Sequence, residues 1–150
     1  AWKRAGIWSQ DDEGPPFFSG LWDRNNTGTP QLTGDRPAQG AEGIAIMHSP
    51  LSKPRWNGGG SRGIWRHSVD RTKGRHPAAK PLPLARELVK LFSDPGDLIL
   101  DPYCGGASFG VAALEAGRQY LGNDTGRDLK TGAAYADTAR ARLAEITPCD

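Results

Sequence analysis

The chain has 150 residues, 37% of them hydrophobic, and a formal charge of +2, which suits one domain with a modest core. With 20 glycines and 12 prolines it should be rich in loops. No apolar run approaches the roughly 18 residues of a membrane span, no secretory leader is evident, and Cys104 and Cys149 form no metal-ligand pattern, so a cytoplasmic protein with free thiols and no membrane partner is expected.

The small net charge is unevenly placed. Residues 1–50 carry four basic and six acidic side chains, and residues 81–150 carry seven and ten. Between them, residues 53–80 carry eight basic groups (Lys53, Arg55, Arg62, Arg66, Arg71, Lys73, Arg75 and Lys80) against Asp70 alone. The middle is a basic island between mildly acidic flanks.

In chain order, the first half reads as irregular. Residues 5–9 (AGIWS) could form a short strand. The stretches "DDEGPPFFSG" and "NNTGTPQLTGDRP" are turn-rich. Residues 43–48 (GIAIMH) form a strand candidate that ends before Ser49-Pro50. The basic island follows over residues 51–75, with Gly58-Gly59-Gly60 as a flexible hinge.

The second half is regular. Residues 83–92 place Leu84, Leu88, Val89 and Leu91 at helical spacing with proline in the first turn, and Pro95-Gly96 ends that helix. Residues 97–101 form a short buried strand, and residues 108–116 a helix of small side chains stopped by Gly117. Residues 119–123 form a second strand. Residues 133–146 form a helix with Tyr135, Ala139 and Leu143 on one face. This alternation predicts an α/β fold with parallel strands and a right-handed crossover.

In such a unit a ligand sits beyond the carboxyl ends of the strands. The turn "DPYCGGASFG" (residues 101–110) has the glycines that let a ligand approach the backbone. The helix after it offers free N–H groups and a partial positive charge. Asp124, about 20 residues on, can accept hydrogen bonds from a ribose. The dinucleotide pattern G-x-G-x-x-G is not met, because Ala107 stands at its second glycine. Asp101 would repel a pyrophosphate and suits a cationic ligand end, such as the amino and sulfonium groups of S-adenosylmethionine. A plain glycine-rich connection is the alternative.

Residues 76–126, "HPAAKPLPLARELVKLFSDPGDLILDPYCGGASFGVAALEAGRQYLGNDTG", resemble the amino-methyltransferases of DNA, in the permuted β group whose cofactor motif follows the catalytic motif. His76-Pro77, Lys80-Pro81, Asp101-Pro102, Tyr103, Gly105 and Asp124 stand where that family reads H-P-x-x-K-P, then D-P-F-x-G-S-G, then a strand ending in an acid. Residues 34–48 also resemble the segment before the family's cofactor half. The resemblance implies a partial Rossmann-like S-adenosylmethionine-dependent methyltransferase fold with a mostly parallel sheet. It also implies cofactor contacts by His76, Lys80, Asp101, Tyr103, Gly105 and Asp124. Asp101 would face the methionine amino group and Asp124 the ribose. His76 and Lys80 would line the methionine end. Tyr103 either packs on the adenine or fills the helix–sheet interface. The chain departs from the family at Gly106-Ala107-Ser108-Phe109, where Ala107 adds a methyl group to a crowded turn.

The family's catalytic motif, (D/N/S)-P-P-(Y/F/W), grips the exocyclic amine of an extruded base. The one Pro-Pro pair, in Gly14-Pro15-Pro16-Phe17, lacks the polar first residue and reads as a turn, so no catalytic residue is assigned. The resemblance therefore points to one incomplete domain. Residues 1–50 would close the catalytic-half sheet, residues 51–75 would face DNA, and residues 76–150 would bind cofactor. A second polypeptide or an upstream segment would carry the catalytic motif. In the island, Lys53, Arg55, Arg62 and Arg66 would meet phosphates, and Trp56 and Trp65 would stack on bases, unless the tryptophans pack back onto the core. The leading reading is the C-terminal portion of a site-specific DNA methyltransferase for adenine N6 or cytosine N4. The alternative is an inactive nucleic-acid-binding module. An oxidoreductase is disfavoured by Asp101 and the H-P-x-x-K-P motif.

Overall fold

A computed structural model of the chain describes residues 17–25, 34–35, 37–49, 53–70, 79–129 and 131–146. The elements follow in the order β1 (Phe17–Asp23), β2 (Ala41–Met47), β3 (Ile64–Arg66), α1 (Leu82–Phe92), β4 (Leu98–Asp101), α2 (Ser108–Glu115), β5 (Gln119–Gly122) and α3 (Tyr135–Ala144). The strand candidate at residues 5–9 lies outside the described residues.

The strands form two sheets, β2-β1-β3 and β4-β5. In the second, β4 and β5 are parallel, with Ile99 opposite Tyr120 and Asp101 opposite Gly122. This is the α/β unit expected from the second half of the chain, except that β4, expected to be buried, exposes Leu98 and Leu100. In the first sheet β1 runs antiparallel to β2 over seven residue pairs and parallel to β3, where Trp22 faces Trp65. The N-terminal half is therefore more regular than its turn-rich sequence suggests. Ser19 and Gly20, which look like turn punctuation, lie in the middle of β1. Glycine is needed there because a Cβ at residue 20 would lie 2.4 Å from the Trp65 ring.

The basic island is likewise not a free loop. It contains β3, whose alternation turns Trp65 inward to 3% exposure. Trp65 is thus a core residue, and the expectation that it stacks on nucleic acid is corrected. It joins Trp22 and Leu84 in a core bordered by Ile44, Ile46, Leu88 and Phe92. The triple glycine, expected to be a hinge, is a turn closed by hydrogen bonds from Ser61 N to Gly58 O (3.0 Å) and from Trp56 Nε1 to Gly59 O (2.7 Å).

Helix α1 links the two halves. Leu84 faces the three-stranded sheet, while Ala85 and Val89 pack against Ala112 of α2. Small side chains let the two helices approach closely, and the area they bury replaces what neither helix could supply alone. The last turn of α1 leaves carbonyls that need partners. Asn57 supplies them: its backbone N–H donates to Leu91 O (2.8 Å), and its amide donates to Lys90 O (3.1 Å) and Ser93 O (3.0 Å). Arg118 adds a bond to Ser93 O at 2.8 Å.

Among the described residues, each sheet has one face with exposed apolar side chains. On the face of the first sheet away from α1, Leu21, Met47 and Ile64 are exposed; on the corresponding face of the second, Leu98, Leu100 and Leu121 are exposed. No helix among the described residues is long and apolar enough to cross a membrane.

Candidate functional site

Because β4 and β5 are parallel, their carboxyl ends meet at one edge, with Asp101 closing β4 and Asp124 two residues beyond β5. The ladder continues past the strands. Asn123 N donates to Asp101 O and Cys104 N donates to Asn123 O, both at 3.0 Å. The chain then turns through Gly105, whose φ of +48° is left-handed and is open to glycine at little cost. Ala107 adopts the same left-handed region at φ +53°, immediately before α2, with its methyl group fully buried. An L-residue there carries roughly 1–2 kcal/mol of strain.

A cavity of about 420 Å³ opens at this edge, lined by Lys80, Asp101, Tyr103, Cys104, Gly105 and Asp124 among others. Five of the six residues expected to hold a cofactor thus surround one space; the sixth, His76, lies outside the described residues. Asp124 is held by both oxygens. Its Oδ2 accepts from Gly105 N (2.8 Å) and its Oδ1 from Gly126 N (2.7 Å). Each oxygen keeps a lone pair for a further donor. Asp101 accepts from the Tyr120 hydroxyl at 3.3 Å. Burial and the Asp101 carboxylate push the Tyr120 phenol far above its ordinary value, so it stays a donor. Burial and the two carboxylates likewise push up the Cys104 thiol, which behaves as a small buried neutral group. Tyr103 is 87% exposed at the cavity mouth, so it does not fill the helix–sheet interface.

Lys80 lines the cavity, and its ammonium is paired with a carboxylate outside the cavity lining. Its Nζ donates to Glu42 Oε2 at 2.9 Å and lies 5.5 Å from the centre of the Trp22 ring. Arg24 joins the same carboxylate and the same ring. Burial works to raise the Glu42 carboxyl, but the bonds from Lys80 and Arg24 outweigh it and hold the group below its ordinary range. This cluster fastens β2 to the segment that enters α1.

The island residues divide. Arg55 pairs with Asp94, and Arg66 Nε lies 3.2 Å from Asp23 Oδ2. Trp56 is half-buried, with its ring 5.2 Å from that of Phe92. Lys53 and Arg62 are exposed and form no ion pair among the described residues.

Three contributors to the site escaped the sequence reading: Tyr120, Arg142 and Glu42. Tyr120 could have been found, since it occupies the inward position of a recognisable strand one residue after Gln119. Arg142, which donates to Gly106 O from α3, and Glu42, which reaches Lys80 across 38 positions, left no local signal.

The chain matches the family model described as DNA methylase over residues 15–134. It is 39% identical over 77 residues to the type II methyltransferase M.BglI of Bacillus subtilis, covering 51% of this chain and 22% of that protein. Against the type II methyltransferase M2.MboI of Moraxella bovis it is 33% identical over 89 residues, covering 57% and 30%. Among solved structures, the M1.HpyAVI–SAM complex matches with a TM-score of 0.66 at 25% identity, covering 85% of this chain and 63% of that one. The chain thus spans less than a third of the length of these two curated relatives. With four-fifths of its residues matched by the family model, the chain belongs to the DNA methylase family.

Proposed function

We propose that the chain is the cofactor-binding and DNA-contacting portion of an S-adenosylmethionine-dependent DNA methyltransferase acting on adenine N6 or cytosine N4. The observation that carries this reading is the pair of carboxylates around one cavity, Asp101 closing β4 and Asp124 just past the parallel β5, with left-handed Gly105 between them. The similar M1.HpyAVI structure is a complex with SAM. The pair of acceptors fits that molecule, which presents a cationic methionine end and ribose hydroxyls.

In this reading Asp101 takes the methionine amino group, directly or through water, and the Tyr120 hydroxyl orients it. Asp124 holds the ribose with the lone pairs its amide contacts leave free. Gly105 lets the backbone approach, Tyr103 lies against the adenine, and the His76–Lys80 segment borders the methionine end. When bound, the cofactor supplies an electrophilic methyl group. The chain's own residues bind and orient it. The segment that grips the target amine is a D-P-P-Y type motif, which these 150 residues do not contain. It would come from elsewhere in the same polypeptide or from a second one, covering the bare faces of the two sheets. The DNA partner would meet Lys53 and Arg62, with Arg55 and Arg66 beside them, and the work would be cytoplasmic.

Titration calorimetry with S-adenosylmethionine tests the site. Binding is expected in the wild type, lost in Asp101→Ala and weakened at least about tenfold in Asp124→Ala, in line with the strength of hydrogen bonds to charged groups. No heat and no protection from proteolysis in the wild type would overturn the cofactor reading. A salt series of DNA binding tests the island. Replacing Lys53, Arg55, Arg62 and Arg66 together by alanine should flatten the slope, and an unchanged slope would remove these residues from the interface.

A further inference from the structure

A second cavity, of about 440 Å³, lies at the other end of α1 and shares no lining residue with the first. Its walls are largely aromatic: Phe18, His48, Trp56 and Phe92, with the core residue Trp65 and with Ser61, whose hydroxyl donates to Gly58 O. The two cavities border opposite ends of an 11-residue helix, Lys80 before it and Phe92 at its end, a helix about 16 Å long at 1.5 Å per residue. The volume falls in the range of small-molecule sites, about 300–1,000 Å³.

Three features make this more than a gap in packing. First, the wall is fixed. The island segment that forms it is tied to the end of α1 by Asn57 and by the Arg55–Asp94 pair, and Trp56 is held by its bond to Gly59 O. Second, the rings present an open face. Phe18 is 53% exposed and meets His48 edge-on at 6.2 Å. Third, Lys53 and Arg62 are next in sequence to the lining residues Pro54, Ser61 and Gly63, and both are exposed and form no ion pair among the described residues. Aromatic rings with cations in the adjoining chain positions suit a planar base flanked by phosphates.

We propose that this aromatic cavity is a second nucleic-acid site, which takes one unpaired nucleotide of a DNA strand. The base would lie among Phe18, Trp56 and His48, and its flanking phosphates would meet Lys53 and Arg62. The site goes beyond the methylation crevice, which borders the other end of α1, and it rests on the reading above for DNA as the partner and for Lys53 and Arg62 as phosphate contacts.

The test uses the chain as it stands and a ten-nucleotide single strand carrying 2-aminopurine at one position. Stacking should quench the probe, and an otherwise identical strand with an abasic site at that position should bind about tenfold more weakly. Phe18→Ala, at a half-exposed residue, should abolish the quench and cost a similar factor. Lys53→Ala with Arg62→Ala should lower the salt slope by about 1.4, two phosphates at 0.7 each. Equal binding of the abasic and intact strands would overturn the proposal, as would an undiminished quench in Phe18→Ala. So would a free mononucleotide binding as tightly as the strand, which would make the cavity a small-molecule site. S-adenosylmethionine titration of the same variants separates the two sites: it should be unaltered in Phe18→Ala, and its absence in the wild type would sink the cofactor reading while leaving the strand result to stand or fall alone.

Discussion

The two halves of this molecule are held together by different kinds of side chain. Around β4, β5, α2 and α3 the buried set is Ala107, Ala112, Ala113, Ala139, Val111 and Cys104, small groups that bring backbone close to backbone. Around β1, β2 and β3 the core is Trp22 and Trp65 with Leu84, large rings that need a glycine to lie against. The first arrangement is suited to a ligand, because short side chains leave the strand ends open. The second is suited to anchoring, because two indoles and Leu84 fill the core between the strands and α1.

Removing a ring should therefore have the largest effect. Trp22→Ala should destabilise the fold by about 3–5 kcal/mol, as buried Trp truncations do, measured by urea denaturation. It also deletes the indole N–H bond to His67 O (2.7 Å). A shift below about 1 kcal/mol would mean that the N-terminal sheet is not a true core.

Adding a methyl at each close approach compares the halves directly. Gly20→Ala would press on Trp65 and Gly110→Ala on Tyr120, whose ring lies 2.6 Å from the position of the new Cβ. Each should cost about 1–3 kcal/mol. Only Gly110→Ala should also weaken S-adenosylmethionine binding, because Tyr120 carries the Asp101 carboxylate. Equal effects on the ligand from both variants would break the division between anchor and site.

Glu42→Gln removes the charge that joins the halves. Lys80 is partly exposed, so the loss should be about 1 kcal/mol. The Glu42 carboxyl is held below its ordinary value of 4.5 in the fold. Its contribution is therefore fully present above pH 4.5 and is lost as pH falls through the lower, folded value. Wild-type stability should drop more steeply than that of Glu42→Gln in that window. The smallest change is expected at Ala107→Gly, where relief of left-handed strain and loss of a buried methyl nearly offset, leaving stability within about 1 kcal/mol of wild type.

What could be read from the sequence follows the same line. The second half was legible because its signals are local: helical spacing from Leu84 to Leu91, prolines and glycines at the stops, and acids at the strand ends. The carboxylates Asp101 and Asp124 and the turn at Gly105 follow from those signals alone. In the first half only the strand expected over residues 43–48 was legible, as β2 (Ala41–Met47); the rest was not, because its order depends on partners far along the chain. Gly20 marks a strand only once Trp65 is known to cross it, and Trp65 resembles a nucleic-acid contact until the alternation of a three-residue strand turns it inward. Lys80 has the local look of a ligand-facing lysine, and only the distant Glu42 redirects its ammonium.

Helix α1 belongs to both cores at once, with Leu84 on one side and Ala85 and Val89 on the other. Neither half can then melt and leave the other intact, since losing either strips one flank of the shared helix. Heating should give one transition seen alike by tryptophan emission and by circular dichroism, and attempts to express either half separately should yield an unstructured product.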